Sequence, residues 1–279
     1  MANGPGGMRR FHLYRPPAVG FAERLPLLVM LHGCGQDANA FATSTRMNRL
    51  AMAQRFLVLY PEQDRLANAQ CCWNWFETAS GRAAREAGSI MQAIDQVCLQ
   101  QPVDRTRVAI AGLSAGASMA ALLAILHPGR FRALIMHSGI PPGAAHSSLS
   151  ALGAMRGRRG HSALAASPSM VTNSWPPLLV IHGAADGVVA VANAHGAIQL
   201  WLGSGTAPPG MTRQVCRGRR LPMAVTEYAR GGRTVATLAL VDGLGHAWSG
   251  GLGSQPFGDG RGPDATRMVW AFAARQFRR

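Results

Sequence analysis

The chain has 279 residues, of which 48% are hydrophobic and 15% charged, a balance that fits a filled globular core and excludes a disordered chain. No apolar run reaches the roughly 18 residues needed to cross a bilayer, so no membrane partner is expected. The net charge of +15 comes from arginine alone. Those arginines are scattered and no basic helix carries interleaved aromatics, which sets aside nucleic-acid binding as the main function.

Residues 1–8 read as a flexible terminus. They lack the basic segment followed by an apolar one that marks a signal peptide, so the chain reads as cytoplasmic as it stands, or secreted if a leader has been removed. Arg9 to Tyr14 alternates loosely before Pro16-Pro17 and predicts an edge strand. Leu25 to Leu31 is apolar almost throughout, the mark of a strand covered on both faces, and it ends in His32-Gly33-Cys34-Gly35-Gln36. A helix over 38–54 and a buried strand at Phe56–Tyr60 follow, then the aromatic stretch Cys72-Trp73-Asn74-Trp75-Phe76. Ala83 to Gln100 predicts an amphipathic helix with Ile90, Ile94 and Val97 at helical spacing.

Val108 to Ala111 predicts a short buried strand, and the apolar residues from Ala115 onward predict a buried helix. Between them stands Gly112-Leu-Ser114-Ala-Gly116. A serine at so tight a strand-to-helix turn is held with its hydroxyl projecting from the carboxyl edge of a sheet. Another strand spans Phe131 to Met136. The stretch 141–175 has no clean period and reads as a loop-and-short-helix excursion over the active face, anchored by Met155 and Met170. A strand at Pro177–Ile181 closes in His182-Gly-Ala-Ala-Asp186, and Ala190 to Leu202 is helical. Val225–Arg230 and Thr234–Val241 predict a hairpin across Gly231-Gly232, which runs into Gly243-Leu-Gly-His246-Ala-Trp248. A final helix covers Ala265 to Phe277. Strands alternating with helices imply a doubly wound, mostly parallel α/β sheet and one domain over 9–279.

Catalytic groups in such sheets collect where the strands end. Ser114, Asp186 and His246 stand after three of them, in the chain order nucleophile, acid, base. A serine hydroxyl is a weak nucleophile and needs a base, which His246 supplies, while Asp186 holds the imidazole. His32, His137 and His182 precede the required position and are expected to order loops. Asp242 is the competing acid. The backbone N–H groups of Cys34 and Ala115 are candidates for an oxyanion hole, with a Cys34 thiol nucleophile as the weaker alternative. Trp73, Trp75 and Trp248 are candidate walls of a substrate cleft, each weighed against plain core packing. Five cysteines (34, 71, 72, 98 and 216) leave disulfides and reduced thiols both open, and their spacing gives no pairing and no zinc pattern.

Six stretches carry a resemblance: Leu31-His-Gly-Cys-Gly-Gln36, Tyr60-Pro-Glu-Gln63, Cys72-Trp-Asn-Trp-Phe76, Gly112-Leu-Ser-Ala-Gly116, His182-Gly-Ala-Ala-Asp186 and Gly245-His-Ala-Trp-Ser-Gly250. In this order they resemble the esterases of the polyhydroxybutyrate depolymerase catalytic-domain family, relatives of feruloyl and acetylxylan esterases. The resemblance implies an α/β-hydrolase fold and a cofactor-free, metal-free serine esterase acting on short-chain hydroxyalkanoate polyesters, their oligomers or similar small esters. It implies the triad Ser114, Asp186 and His246, with Cys34 and Ala115 in the oxyanion hole. A carbohydrate esterase on the same scaffold is the alternative. A basic anion-binding protein with a vestigial hydrolase site is the alternative from another class.

Overall fold

The computed structural model describes residues 1–158, 174–203 and 209–278. Its large sheet holds β3 (Phe11–Tyr14), β4 (Leu25–Leu31), β5 (Leu57–Pro61), β6 (Val103–Leu113), β7 (Ala133–His137), β8 (Leu178–Gly183), β9 (Arg213–Val215), β10 (Met223–Arg230) and β11 (Arg233–Val241). They lie in the order β3-β5-β4-β6-β7-β8-β11-β10-β9. The six from β5 to β11 are parallel; β3 is antiparallel to β5 at one edge, and at the other β10 is antiparallel to both β11 and β9. This is the mostly parallel sheet expected from the alternation of elements.

Continuous apolar sequence and burial on both faces go together. Every residue of β4, β5, β7 and β8 is buried, as a strand covered by helices on both sides requires. Alternate residues serve opposite cores. Leu27, Val29 and Leu31 of β4 join the core under α3 (Arg82–Gln100), α4 (Ala115–Leu126) and α6 (Ala192–Leu202). Leu28 and Met30 join the other, under α1 (Ala38–Thr45), α2 (Met47–Gln54) and α7 (Ala265–Gln276). Gly231 and Gly232 take φ of 55° and 74°, the left-handed pair a two-residue hairpin turn needs between β10 and β11.

Two local expectations differ from the structure. The helix over 38–54 is two helices, parted at Arg46, which sits at φ 55°. The Thr45 hydroxyl donates to the Phe41 carbonyl at 2.8 Å and the Arg46 guanidinium donates to the carbonyl of Gly250, so a tertiary tie sets the bend. Residues 1–8 are not a loose end. They form most of a hairpin, β1 (Ala2–Gly4) with β2 (Gly7–Arg9), whose Gly6 N–H donates to Ser89 Oγ on α3 at 2.7 Å. The excursion 141–175 contains α5 (Ser148–Met155); its second expected anchor, Met170, lies outside the described residues. No helix among the described residues is long and apolar enough to cross a membrane.

Candidate active site

Because β4, β6, β8 and β11 run parallel, the loops after them gather at one edge of the sheet. The turn after β6 brings Ser114 there at φ 55° and ψ −121°, a conformation that costs a non-glycine residue about 1–3 kcal/mol. Glycines on either side make the turn possible. A Cβ on Gly112 would lie 2.4 Å from the carbonyl group of Gly116, and one on Gly116 would lie 2.2 Å from the Leu31 carbonyl oxygen. The Ser114 N–H is fixed by the His137 carbonyl at 2.9 Å.

The Ser114 hydroxyl lies 2.9 Å from Nε2 of His246, whose Nδ1 lies 2.8 Å from Oδ2 of Asp186. A carboxylate only accepts, so Nδ1 carries the proton and Nε2 is left to accept from the serine. The Asp186 side chain is fully buried. Burial opposes its charge, but the His246 hydrogen bond and the Val189 and Val188 N–H groups outweigh that and hold its pKa at about 2. Those two N–H groups both donate to Oδ1 at 2.9 Å. Asp242, the competing acid, is exposed in the loop after β11. Close packing brings the His246 loop over β8: a Cβ on Gly183 would lie 2.2 Å from the Leu244 carbonyl oxygen. The three side chains expected to meet do meet. A base poised on a hydroxyl and backed by a buried carboxylate can carry out acyl transfer through that oxygen.

Beside Ser114 opens a cavity of about 410 Å³, bordered by Cys34 and Ala115 and walled by Trp75, Phe76, Leu152 and Met155. Cys34 is disulfide-bonded to Cys72, a pairing the sequence left open. Its sulfur is therefore committed, which removes the thiol-nucleophile alternative. Of the three tryptophans proposed as cleft walls, only Trp75 lines the cavity. Trp248 is wholly buried, its Nε1–H donating to Thr266 Oγ1 and its ring against His137 and Phe41. Trp73 is buried too and donates to the His32 carbonyl. Both are core residues. Trp248 stands two residues after His246 in β12 (Trp248–Ser249), which pairs with β13 (Gly258–Asp259).

Three buried histidines end strands next to the site, and each braces a loop. His32 Nε2 accepts the Gln63 N–H, His137 Nε2 accepts the Ser249 N–H, and His182 Nε2 donates to the Val189 carbonyl. Burial, with the neighbouring His182 and His246 rings acting in the same direction, pushes the His137 pKa down to about 3, so it stays neutral. Burial likewise lowers His32 and His182. No group of three or more His, Cys, Asp or Glu side chains is placed to hold a metal ion among the described residues.

Sheet order, elbow and relay are those of an α/β-hydrolase, and comparison with solved structures agrees. The fold is similar to that of an acetyl xylan esterase from Aspergillus awamori, with a TM-score of 0.71 at 18% identity, covering 88% of this chain and 90% of that one. Residues 9–205 match the family model described as Esterase PHB depolymerase, and the chain belongs to that family. It is 32% identical over 209 residues to the poly(3-hydroxyalkanoate) depolymerase C of Paucimonas lemoignei, covering 70% of this chain and 48% of that protein. It is 27% identical to acetylxylan esterase A of Emericella nidulans, covering 69% and 66%. The chain thus spans about half the length of the depolymerase.

Proposed function

We propose that the protein is a serine esterase that hydrolyses short-chain hydroxyalkanoate polyesters, their oligomers or similar small esters. The observation that carries this reading is the unbroken relay from the Ser114 hydroxyl through His246 to Asp186, set on a strained elbow at the mouth of an apolar cavity. The Ser114 oxygen attacks the ester carbonyl carbon as His246 Nε2 takes its proton. The carbonyl oxygen becomes an alkoxide facing the Cys34 and Ala115 N–H groups. His246 then returns the proton to the leaving alcohol oxygen, the carbon–oxygen bond breaks, and an acyl-serine remains. Water, activated by the same imidazole, releases the acid. Asp186 stays ionised throughout and steadies the imidazolium.

The cavity favours a hydroxyalkanoate over an acetyl group. At about 410 Å³ it is within the range of small-molecule sites, and an acetyl group would fill little of it. Its walls are mostly apolar, with Asn68, Gln70, Ser118 and Ser148 as polar points beside Ser114 and no charged residue among the described lining. A flexible aliphatic ester gains burial there without needing many hydrogen bonds. The carbohydrate-esterase reading draws on the similarity to acetylxylan esterase A and to feruloyl esterase B of Neurospora crassa. Initial rates on hydroxybutyrate oligomers, amorphous polymer granules, acetylated xylan and methyl ferulate separate the two. The expected order puts the oligomers and granules first, and a preference for methyl ferulate or acetylated xylan would overturn the substrate assignment. Loss of p-nitrophenyl butyrate hydrolysis in Ser114→Ala tests the reaction itself.

A further inference from the structure

Two of the sequence stretches, Tyr60-Pro-Glu-Gln63 and Cys72-Trp-Asn-Trp-Phe76, give the cavity only Cys72, Trp75 and Phe76. Gln63 and Asn74 converge instead on the buried carboxylate of Glu86. Glu86 is buried on α3 at 2% exposure. Its Oε2 accepts the Asn74 backbone N–H at 3.0 Å. Its Oε1 accepts the side-chain amides of Asn74 and of Gln63, the latter at 2.9 Å. The Gln63 amide also donates to the Cys72 carbonyl at 2.9 Å, and its Oε1 accepts from the guanidinium of Arg9, itself buried and 5.3 Å above the Trp73 ring. The Gln63 backbone N–H donates to Nε2 of His32 at 3.1 Å, and Trp73 Nε1–H donates to the His32 carbonyl at 3.0 Å.

Gln63 therefore grips the Cys34 loop from both sides. One grip is on His32, two residues before Cys34; the other is on Cys72, to which the Cys34 sulfur is bonded. Stability alone does not account for such a cluster. Buried ionic groups lose their hydration, and apolar replacements of similar volume are often neutral or stabilising. What a polar cluster provides and an apolar one does not is direction, because each hydrogen bond fixes an angle as well as a distance.

We infer that Gln63, oriented by the buried Glu86 carboxylate, is a positioning residue that sets the direction of the Cys34 N–H toward the developing alkoxide. The inference rests on the reading of Cys34 and Ala115 as the oxyanion hole. Gln63 acts through His32 and Cys72 and does not touch substrate.

The test compares wild type with Gln63→Met, which keeps length, volume and the backbone N–H bond to His32 but removes the side-chain bonds to Cys72, Glu86 and Arg9. Two quantities are measured on folded protein: turnover of p-nitrophenyl butyrate, and inhibition by an alkyl trifluoromethyl ketone. The ketone adds the serine oxygen reversibly and leaves an alkoxide in the hole. The expected result is a fall in kcat of about 10- to 100-fold with KM within about twofold, and a weakening of ketone inhibition by a similar factor, since loss of a whole oxyanion donor costs about 10²–10³. If Gln63→Met does not fold, Glu86→Gln carries the same measurements, because it turns one acceptor into a donor facing other donors. A folded variant with unchanged kcat and unchanged ketone inhibition overturns the positioning role alone. A wild type that turns over ester yet is not inhibited by the ketone overturns the oxyanion-hole reading, and the inference with it.

Discussion

Cys34 and Cys72 are joined by a disulfide across 38 residues, tying the loop after β4 to the aromatic stretch that walls the cavity. The bond links the candidate oxyanion donor to the cavity wall, so its loss is expected to affect both folding and turnover. The double variant Cys34→Ser/Cys72→Ser is expected to lose about 2–4 kcal/mol of stability in guanidinium unfolding. Its turnover of p-nitrophenyl butyrate is expected to fall by about tenfold or more, as the Cys34 N–H loses one of its restraints. Unchanged unfolding and unchanged turnover would contradict this.

The elbow glycines have no room for a side chain. Gly116→Ala is expected to destabilise the fold by about 3 kcal/mol or more, because its Cβ would meet two backbone carbonyls of β4 and its loop, which cannot swing aside. Gly20→Ala is the control, with its nearest neighbour 3.9 Å away, and is expected to change stability by less than about 0.5 kcal/mol. Thermal or denaturant unfolding of the pair measures the difference.

Helix α5 lines the cavity with Ser148, Ala151, Leu152 and Met155. Ala151→Phe is expected to leave p-nitrophenyl acetate hydrolysis within about threefold of wild type. Hydrolysis of the octanoate ester should fall by about tenfold or more, since filled volume excludes the longer chain. The ratio of kcat/KM for the two esters is the readout, and an unchanged ratio would place the acyl chain elsewhere.

His137 gives the protein an acid-sensitive core. Its pKa is depressed to about 3 by burial, so the unfolded chain binds the proton more readily. Its contribution to stability is complete above the ordinary histidine pKa and is lost as the pH falls from about 6.5 toward 3, with a slope approaching roughly 1.4 kcal/mol per pH unit for one proton. His137→Gln keeps an acceptor for the Ser249 N–H and does not titrate, so its unfolding free energy should vary less steeply over this window. Asp186, held at about 2, adds its own loss only as the pH falls from about 4 toward 2. Parallel pH profiles for the two proteins would contradict the assignment to His137.

The sequence was most legible where one residue type has one use. Gly112 and Gly116 beside Ser114, buried strands ending in short loops, and the chain order of Ser114, Asp186 and His246 all pointed to one sheet edge, and the three side chains meet there. Tryptophan was harder, because burial in a core and exposure in a cleft draw on the same side chain. Trp73 and Trp248 went to the core, each with its N–H satisfied, and Trp75 to the cleft. The break at Arg46 has no local glycine or proline to announce it and follows from a contact 204 residues away. The pairing of Cys34 with Cys72 depends on which loops share an edge, which spacing does not encode. Glu86 did leave a signal: it lies four residues before Ile90, on the same helical face as Ile94 and Val97, where a solvated acid has no place.

The most direct measurement is covalent labelling with the organophosphate diethyl p-nitrophenyl phosphate, followed by mapping of the modified peptide. The expected result is a single adduct on Ser114, formed in step with the loss of p-nitrophenyl butyrate hydrolysis and strongly slowed in His246→Ala. Full inactivation with the adduct on another residue, or turnover that persists after Ser114 is fully modified, would contradict the assignment of the nucleophile.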